Sequence, residues 1–156
     1  MKKVSILGAT GSIGLNTLEV ISRHPDKYTV FALSAHKSWK KMLLLCKTHM
    51  PTYAVLIDPD AAESLRKTAP EGVTVLSGEN ALIEIASHKE VDYVMAAVVG
   101  SAGMASTLAA VDTGKRVMLA NKESLVLAGD LLINATKKSG AELIPVDSEH
   151  SAIFQC

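Results

Sequence analysis

The densest group of chemically useful side chains lies late in the 156-residue sequence, at Asp147-Ser148-Glu149-His150. Two carboxylates at i and i+2 on an extended segment point the same way. A hard divalent cation can take one oxygen from each and keep other positions for a substrate. Without a cation, like charges that close repel each other. The plain alternative for such a pair is a solvated loop, and His150 is open between a core hydrogen bond and a substrate contact. A second group is Asn121-Lys122-Glu123-Ser124. Read as a helix start, it explains Asn121 as a cap and Glu123 as a complement to the helix dipole. It does not explain Lys122, because a cation at a helix N-terminus is disfavoured unless it meets an anion or a substrate.

The third group is a glycine turn, Gly8-Ala9-Thr10-Gly11-Ser12-Ile13-Gly14, spaced G-x-x-G-x-x-G. Gly8 permits a tight exit from a strand, Gly11 lets backbone approach a pyrophosphate, and Gly14 lets a helix pack close to a sheet. The amides of Gly11, Ser12 and Ile13 then lie at a helix N-terminus, which favours an anion, and Thr10 and Ser12 add hydroxyls. Glycines at such a turn can also serve packing alone, but this one follows the first strand of a chain of repeated strand–helix units. That position favours a dinucleotide. An NAD site wants a carboxylate after the second strand, yet no Asp or Glu occurs between Asp26 and Asp58. Lys37 and Ser38 stand there instead and suit a 2′-phosphate, which favours NADP; the alternative is a solvated lysine at a helix start.

These groups need a frame. Strands are expected over 4–7, 28–33, 53–57, 73–76, 91–99, 116–119 and 142–146. Helices are expected over 12–23, from Ser38 to about Met50, after Asp58-Pro59, over 81–87, 101–113 and roughly 125–138. The strand runs are apolar on both faces, as parallel strands under two helix layers require. The fold class is therefore α/β, a doubly wound, mostly parallel sheet of about seven strands, Rossmann-like. Carboxyl ends of the strands line the crevice of such a sheet, which is where all the groups above fall. Val98-Val99-Gly100-Ser101-Ala102-Gly103 also ends a strand there, open between approach of a nicotinamide and packing.

Composition excludes several classes. Sixteen Lys and Arg balance sixteen Asp and Glu, a formal net charge of 0, which speaks against a broad nucleic-acid or anionic-membrane footprint. Hydrophobic residues at 48% and charged residues at 21% support a buried core, built from Ala, Val, Ile and Leu because aromatics are only 4%. Cys46 and Cys156 make no disulfide framework and fit a reducing compartment. The apolar run Val4–Leu7 is too short for a signal-peptide core or a membrane span of about 20 residues, so a cytoplasmic chain is expected, or a stromal one in a plastid-bearing source. His24, His36, His49 and His88 lack ligand spacing and are expected to be structural.

Taken together, the glycine turn, Met95-Ala96-Ala97-Val98-Val99-Gly100, Leu119-Ala120-Asn121-Lys122-Glu123-Ser124-Leu125 and the run from Pro145 to Gln155 resemble one family closely. That family is 1-deoxy-D-xylulose 5-phosphate reductoisomerase, of non-mevalonate isoprenoid synthesis. The resemblance implies an NADPH-dependent enzyme, aided by Mg²⁺ or Mn²⁺, that rearranges and reduces a sugar phosphate to 2-C-methyl-D-erythritol 4-phosphate. It implies cofactor contacts from Thr10, Gly11, Ser12, Ile13, Asn121 and Glu123, with Lys37 near the 2′-phosphate. It implies substrate contacts from Lys122 and Ser148, a metal ligand in Asp147, and both roles for Glu149, with Lys122 and Glu149 catalytic. His36 and Ser38 depart from the Gly and Asn often seen in the family.

The resemblance also implies that residues 1–156 are the NADPH-binding domain, ending where a catalytic domain begins. Chain beyond that would supply a third metal carboxylate, a flap and the substrate phosphate site, and the full-length protein would be a homodimer. The 156 residues alone are accordingly expected to be inactive. Two other readings stay open. A stand-alone NAD(P) oxidoreductase using Lys122 is disfavoured, because Tyr28, Tyr53 and Tyr93 each lack a lysine four residues on. A nucleotide-sensing module without turnover is the other.

Overall fold

The structure, a computed structural model, describes residues 1–120 and 122–146, with the backbone alone for 122–125 and 127. Seven strands alternate with six helices: β1 Lys2–Leu7, α1 Ser12–Arg23, β2 Tyr28–Ala35, α2 Trp39–His49, β3 Tyr53–Leu56, α3 Pro59–Arg66, β4 Thr74–Ser77, α4 Glu79–Ser87, β5 Tyr93–Ala96, α5 Gly100–Asp112, β6 Arg116–Leu119, α6 Lys122–Ser139 and β7 Glu142–Pro145. All strand pairs are parallel, in the order β4-β3-β2-β1-β5-β6-β7. The expected doubly wound sheet is present, and it is wholly parallel.

β1, β2, β3 and β5 bury residues on both faces, so the core is double. Val4, Ile6, Leu33, Leu56 and Met95 pack with α1, α2 and α3 on one side of the sheet. Leu7, Phe31, Val94, Val117 and Leu119 pack with the residues of α4, α5 and α6 on the other. The order runs outward from β1 in one direction and returns through β5 in the other. The crevice of an open α/β sheet lies at such a reversal, here outside the carboxyl ends of β1 and β5. The side that carries α1, α2 and α3 clothes β1 to β5, with Met95 of β5 buried against it. Beyond α1, over β5 to β7, an apolar groove is lined by Val20, Tyr93, Met118, Ile144 and Val146. Among the described residues, no helix is long and apolar enough to cross a membrane.

Several expected boundaries move, for physical reasons. The fifth strand, expected over 91–99, ends at Ala96, because the chain after it must clear two neighbours. A Cβ on Gly8 would lie 2.8 Å from the Ala97 carbonyl oxygen, and one on Gly103 would overlap that of Val98. The sixth helix starts at Lys122 rather than near Leu125, and Ala128 (φ −138°, ψ 24°) interrupts it. Ser38 occupies the cap position of α2 but makes no capping hydrogen bond, whereas the Asp58 carboxylate accepts from the Ala61 amide at 2.8 Å.

Candidate dinucleotide site

The site begins where β1 hands over to α1. Leu7 is fully buried, and Gly8 then turns out of the strand at φ +86°, a conformation that favours glycine. Gly14, in the first turn of α1, lies so close to this turn that a Cβ there would sit 2.5 Å from the Gly8 carbonyl oxygen and 2.6 Å from the Ala9 Cα. Two of the three glycines are thus required by the protein itself. Gly11 is different: its backbone is extended (φ −84°, ψ 170°), and a Cβ would meet only the Gly8 carbonyl oxygen, at 3.5 Å. None of the described residues forbids a side chain at Gly11, and the open space lies at the start of a helix.

One expectation about this turn is corrected. The Gly11 amide does not face outward; it donates to the Gly8 carbonyl at 3.2 Å. The first intrahelical bond runs from Leu15 N–H to the Gly11 carbonyl at 2.9 Å. Helix geometry therefore leaves the amides of Ser12, Ile13 and Gly14 as the donors at the N-terminus. No acidic side chain occupies this first turn, so its positive end is uncompensated. Gly11 and Ser12 are exposed, and Thr10 and Ile13 are half-buried. The arrangement suits an anion held against backbone with two hydroxyls beside it.

The end of β2 adjoins this turn. Ser34, 1% exposed, accepts a hydrogen bond at its Oγ from the Gly8 amide at 3.1 Å, and its carbonyl accepts from the Ala9 amide at 2.7 Å. Two residues later the chain leaves the sheet, and His36, Lys37 and Ser38 are all exposed. A shallow depression at the start of α2 is lined by Lys37, Ser38, Trp39, Lys40 and Lys41. Lys40 Nζ lies 5.7 Å from the centre of the Trp39 ring, and the first turn of α2 holds no acidic residue. The depression contains the expected Lys37 and Ser38, and it adds Lys40 and Lys41, which with Ser34 sequence reasoning does not single out. The lysines are visible as basic residues in the wrong turn of a helix, and Ser34 as a hydroxyl within an apolar strand.

Not every expected residue is brought to this point. Lys122 and Glu123 stand at the start of α6, directly beyond the carboxyl end of β6, which puts their backbone on the crevice side. Asn121, Asp147, Ser148, Glu149 and His150 lie outside the described residues. Among the described residues, no three His, Cys, Asp or Glu side chains gather to hold a metal. Where β5 passes into α5, Gly103 in the first turn of the helix serves packing against Val98, and Gly100 takes φ +82° at the helix start, while Val99 is exposed. His88 stacks 4.8 Å from Phe31 and 5.9 Å from Tyr53, a structural place as expected.

Comparison with known proteins places this arrangement. The profile of the family described as 1-deoxy-D-xylulose 5-phosphate reductoisomerase matches residues 4–129. The chain is 55% identical over 156 residues to the protein of that name from Vesicomyosocius okutanii subsp. Calyptogena okutanii, covering 100% of this chain and 41% of the relative. A solved structure of the Zymomonas mobilis enzyme in complex with NADPH superposes with a TM-score of 0.94 at 47% identity, covering 99% of this chain and 41% of that one. Another, described as DOX-P reductoisomerase with NADPH, fosmidomycin and magnesium, gives a TM-score of 0.95 at 48% identity, covering 100% of this chain and 39% of that one. The chain spans about two fifths of the length of these relatives. With its parallel sheet, its glycine turn and a family match over most of its length, the chain belongs to the 1-deoxy-D-xylulose 5-phosphate reductoisomerase family.

Proposed function

We propose that these residues form the NADPH-binding domain of a reductoisomerase that converts 1-deoxy-D-xylulose 5-phosphate to 2-C-methyl-D-erythritol 4-phosphate. The observation that carries the reading is Gly11: among the described residues no neighbour demands its missing side chain, and it stands at the N-cap of α1. A pyrophosphate fits there, held by the amides of Ser12 and Ile13 and the hydroxyls of Thr10 and Ser12. Lys37, with Ser38 beside it, takes the 2′-phosphate. Asn121 and Glu123 complete the cofactor site. When bound, NADPH supplies a hydride.

The protein's own part is placement. The β1 turn holds the pyrophosphate, the β2 loop selects the phosphorylated ribose, and the β5 and β6 ends direct the nicotinamide toward the substrate. Lys122, Ser148 and Glu149 are proposed to hold the sugar phosphate, with Lys122 and Glu149 catalytic. Asp147 and Glu149 are proposed to hold Mg²⁺ or Mn²⁺, the former named with relatives of this chain. Because relatives are more than twice as long, a polypeptide of these residues alone is proposed to bind the cofactor without turnover.

The test is calorimetric titration with NADPH, NADH and ADP, repeated on Lys37→Ala. NADPH binds the parent more tightly than NADH, and the substitution removes the preference. Equal affinity for the two dinucleotides in the parent defeats the cofactor assignment. Turnover of 1-deoxy-D-xylulose 5-phosphate by the 156-residue chain defeats the proposal of inactivity.

A further inference from the structure

We infer that Ser34 is a positioning residue for the pyrophosphate turn, acting through the amide of Gly8; the inference rests on the dinucleotide reading above. Successive residues of a strand in a parallel sheet bond to opposite neighbours. The Leu7 carbonyl accepts from the Ala97 amide, on the β5 side, at 3.0 Å, so the next residue, Gly8, faces β2. Its amide meets no backbone carbonyl there, because at φ +86° the chain is already turning out of the ladder. The Ser34 hydroxyl oxygen takes that place at 3.1 Å, and the backbone bond to the Ser34 carbonyl comes one residue late, from Ala9 at 2.7 Å.

Gly8 in turn sets the rest of the loop. Its carbonyl accepts from the Gly11 amide at 3.2 Å and lies in the space a Gly14 Cβ would fill, at 2.5 Å. The plane of the Gly8 peptide therefore sets where α1 starts and where the Ser12 and Ile13 amides point. Packing does not ask for a hydroxyl at residue 34: its neighbours Phe31, Ala32, Leu33 and Ala35 are buried and apolar, and alanine would fit the strand. Removing the hydroxyl leaves the Gly8 amide with no acceptor and frees the turn to rotate toward another. Ser34 itself touches no ligand. It fixes the donors that do.

The measurement is titration of NADPH, NADH and ADP into the 156-residue chain and its Ser34→Ala and Ser34→Thr variants, well below their melting temperatures, alongside thermal melts. All three ligands share the pyrophosphate, so Ser34→Ala weakens all of them by one common factor, about five- to tenfold. Ser34→Thr keeps the oxygen and restores binding. If Ser34→Ala does not fold, Ser34→Cys, with a weak acceptor of similar size, carries the same expectation. Unchanged dissociation constants beside a lowered melting temperature would overturn the inference, leaving Ser34 merely structural and the dinucleotide reading intact. Weakening confined to NADPH would overturn it too, moving the effect to the Lys37 loop. A parent chain that binds none of the three ligands overturns the dinucleotide reading itself, and this inference with it.

Discussion

The separation of the three turn glycines into two that the fold requires and one that it does not can be tested by giving each a methyl group. Alanine at Gly11 adopts φ −84°, ψ 170° without strain and meets its nearest neighbour at 3.5 Å, an ordinary contact. Gly11→Ala therefore leaves the fold intact, the gain from lost unfolded-state freedom being offset by alanine's poor fit at a helix N-cap, so stability stays within about 1 kcal/mol of the parent. That keeps the melting temperature within about 4 °C of the parent for a chain of this size. Gly14→Ala behaves oppositely. Its Cβ would lie 2.5–2.6 Å from backbone atoms of Gly8 and Ala9, which cannot swing aside as a side chain can. Overpacking of this kind is destabilising by about 1–3 kcal/mol or more.

Binding divides the two variants the other way. In the proposed binding mode, the Gly11 methyl stands where phosphate oxygens approach the Ser12 and Ile13 amides. Forfeiting one charge-assisted hydrogen bond, about 1.5–3 kcal/mol, weakens NADPH by roughly ten- to a hundredfold. The assay pairs thermal denaturation with NADPH titration of the same preparations. A Gly11→Ala protein that is stable and binds NADPH like the parent would refute the reasoning, because the empty space at Gly11 would then have no ligand to explain it.

Three further outcomes are expected. Replacing Lys40 and Lys41 with alanine together lowers NADPH affinity but leaves NADH affinity unchanged in the same titration, because the depression they line adjoins Lys37. The Asp92 carboxyl is held below the usual carboxylate range, chiefly by the Lys3 amide at 2.9 Å and also by the Lys2 ammonium. A depressed folded-state pKa contributes stability that is present above the unfolded value, about 3.9, and lost as pH falls through the folded one, so Asp92→Asn flattens the acid limb of stability against pH in denaturant titrations. The Cys46 thiol, buried and raised to about 11 by that burial, resists a thiol reagent at pH 8 in the folded chain and reacts after unfolding.

Much of this is legible in the sequence because the signals are local. The alternation of apolar runs with amphipathic stretches locates all seven strands, and Asp58-Pro59 marks a helix start that the Asp58 cap bears out. The parts that are not legible depend on what lies next to what. The fifth strand reads as nine residues because Val91–Val99 is largely apolar, yet it is cut short by close neighbours that only the folded chain brings together. The outward direction expected of the Gly11 amide fails for the same reason: its acceptor, the Gly8 carbonyl, is supplied by a left-handed turn and not by any side chain. Ser34 is 26 residues from the amide it holds, and no spacing rule joins them.

The one-sided covering of β6 and β7 has a consequence for how the molecule breathes. A strand clothed on both faces opens only when much of the domain opens; one bare on a face, and paired along one edge, opens alone. β7 is four residues long, pairs among the described residues with β6 alone, and borders the apolar groove beyond α1. Amide exchange should thus spread outward by rank: slowest in β1 and β2, faster in β6, fastest in β7. The glycine turn hangs from the slow end of that scale, and the elements leading to Asp147 hang from the fast end. Whatever polypeptide comes to rest on the bare face would make the two ends equally slow, coupling its docking to the stiffness of half the sheet.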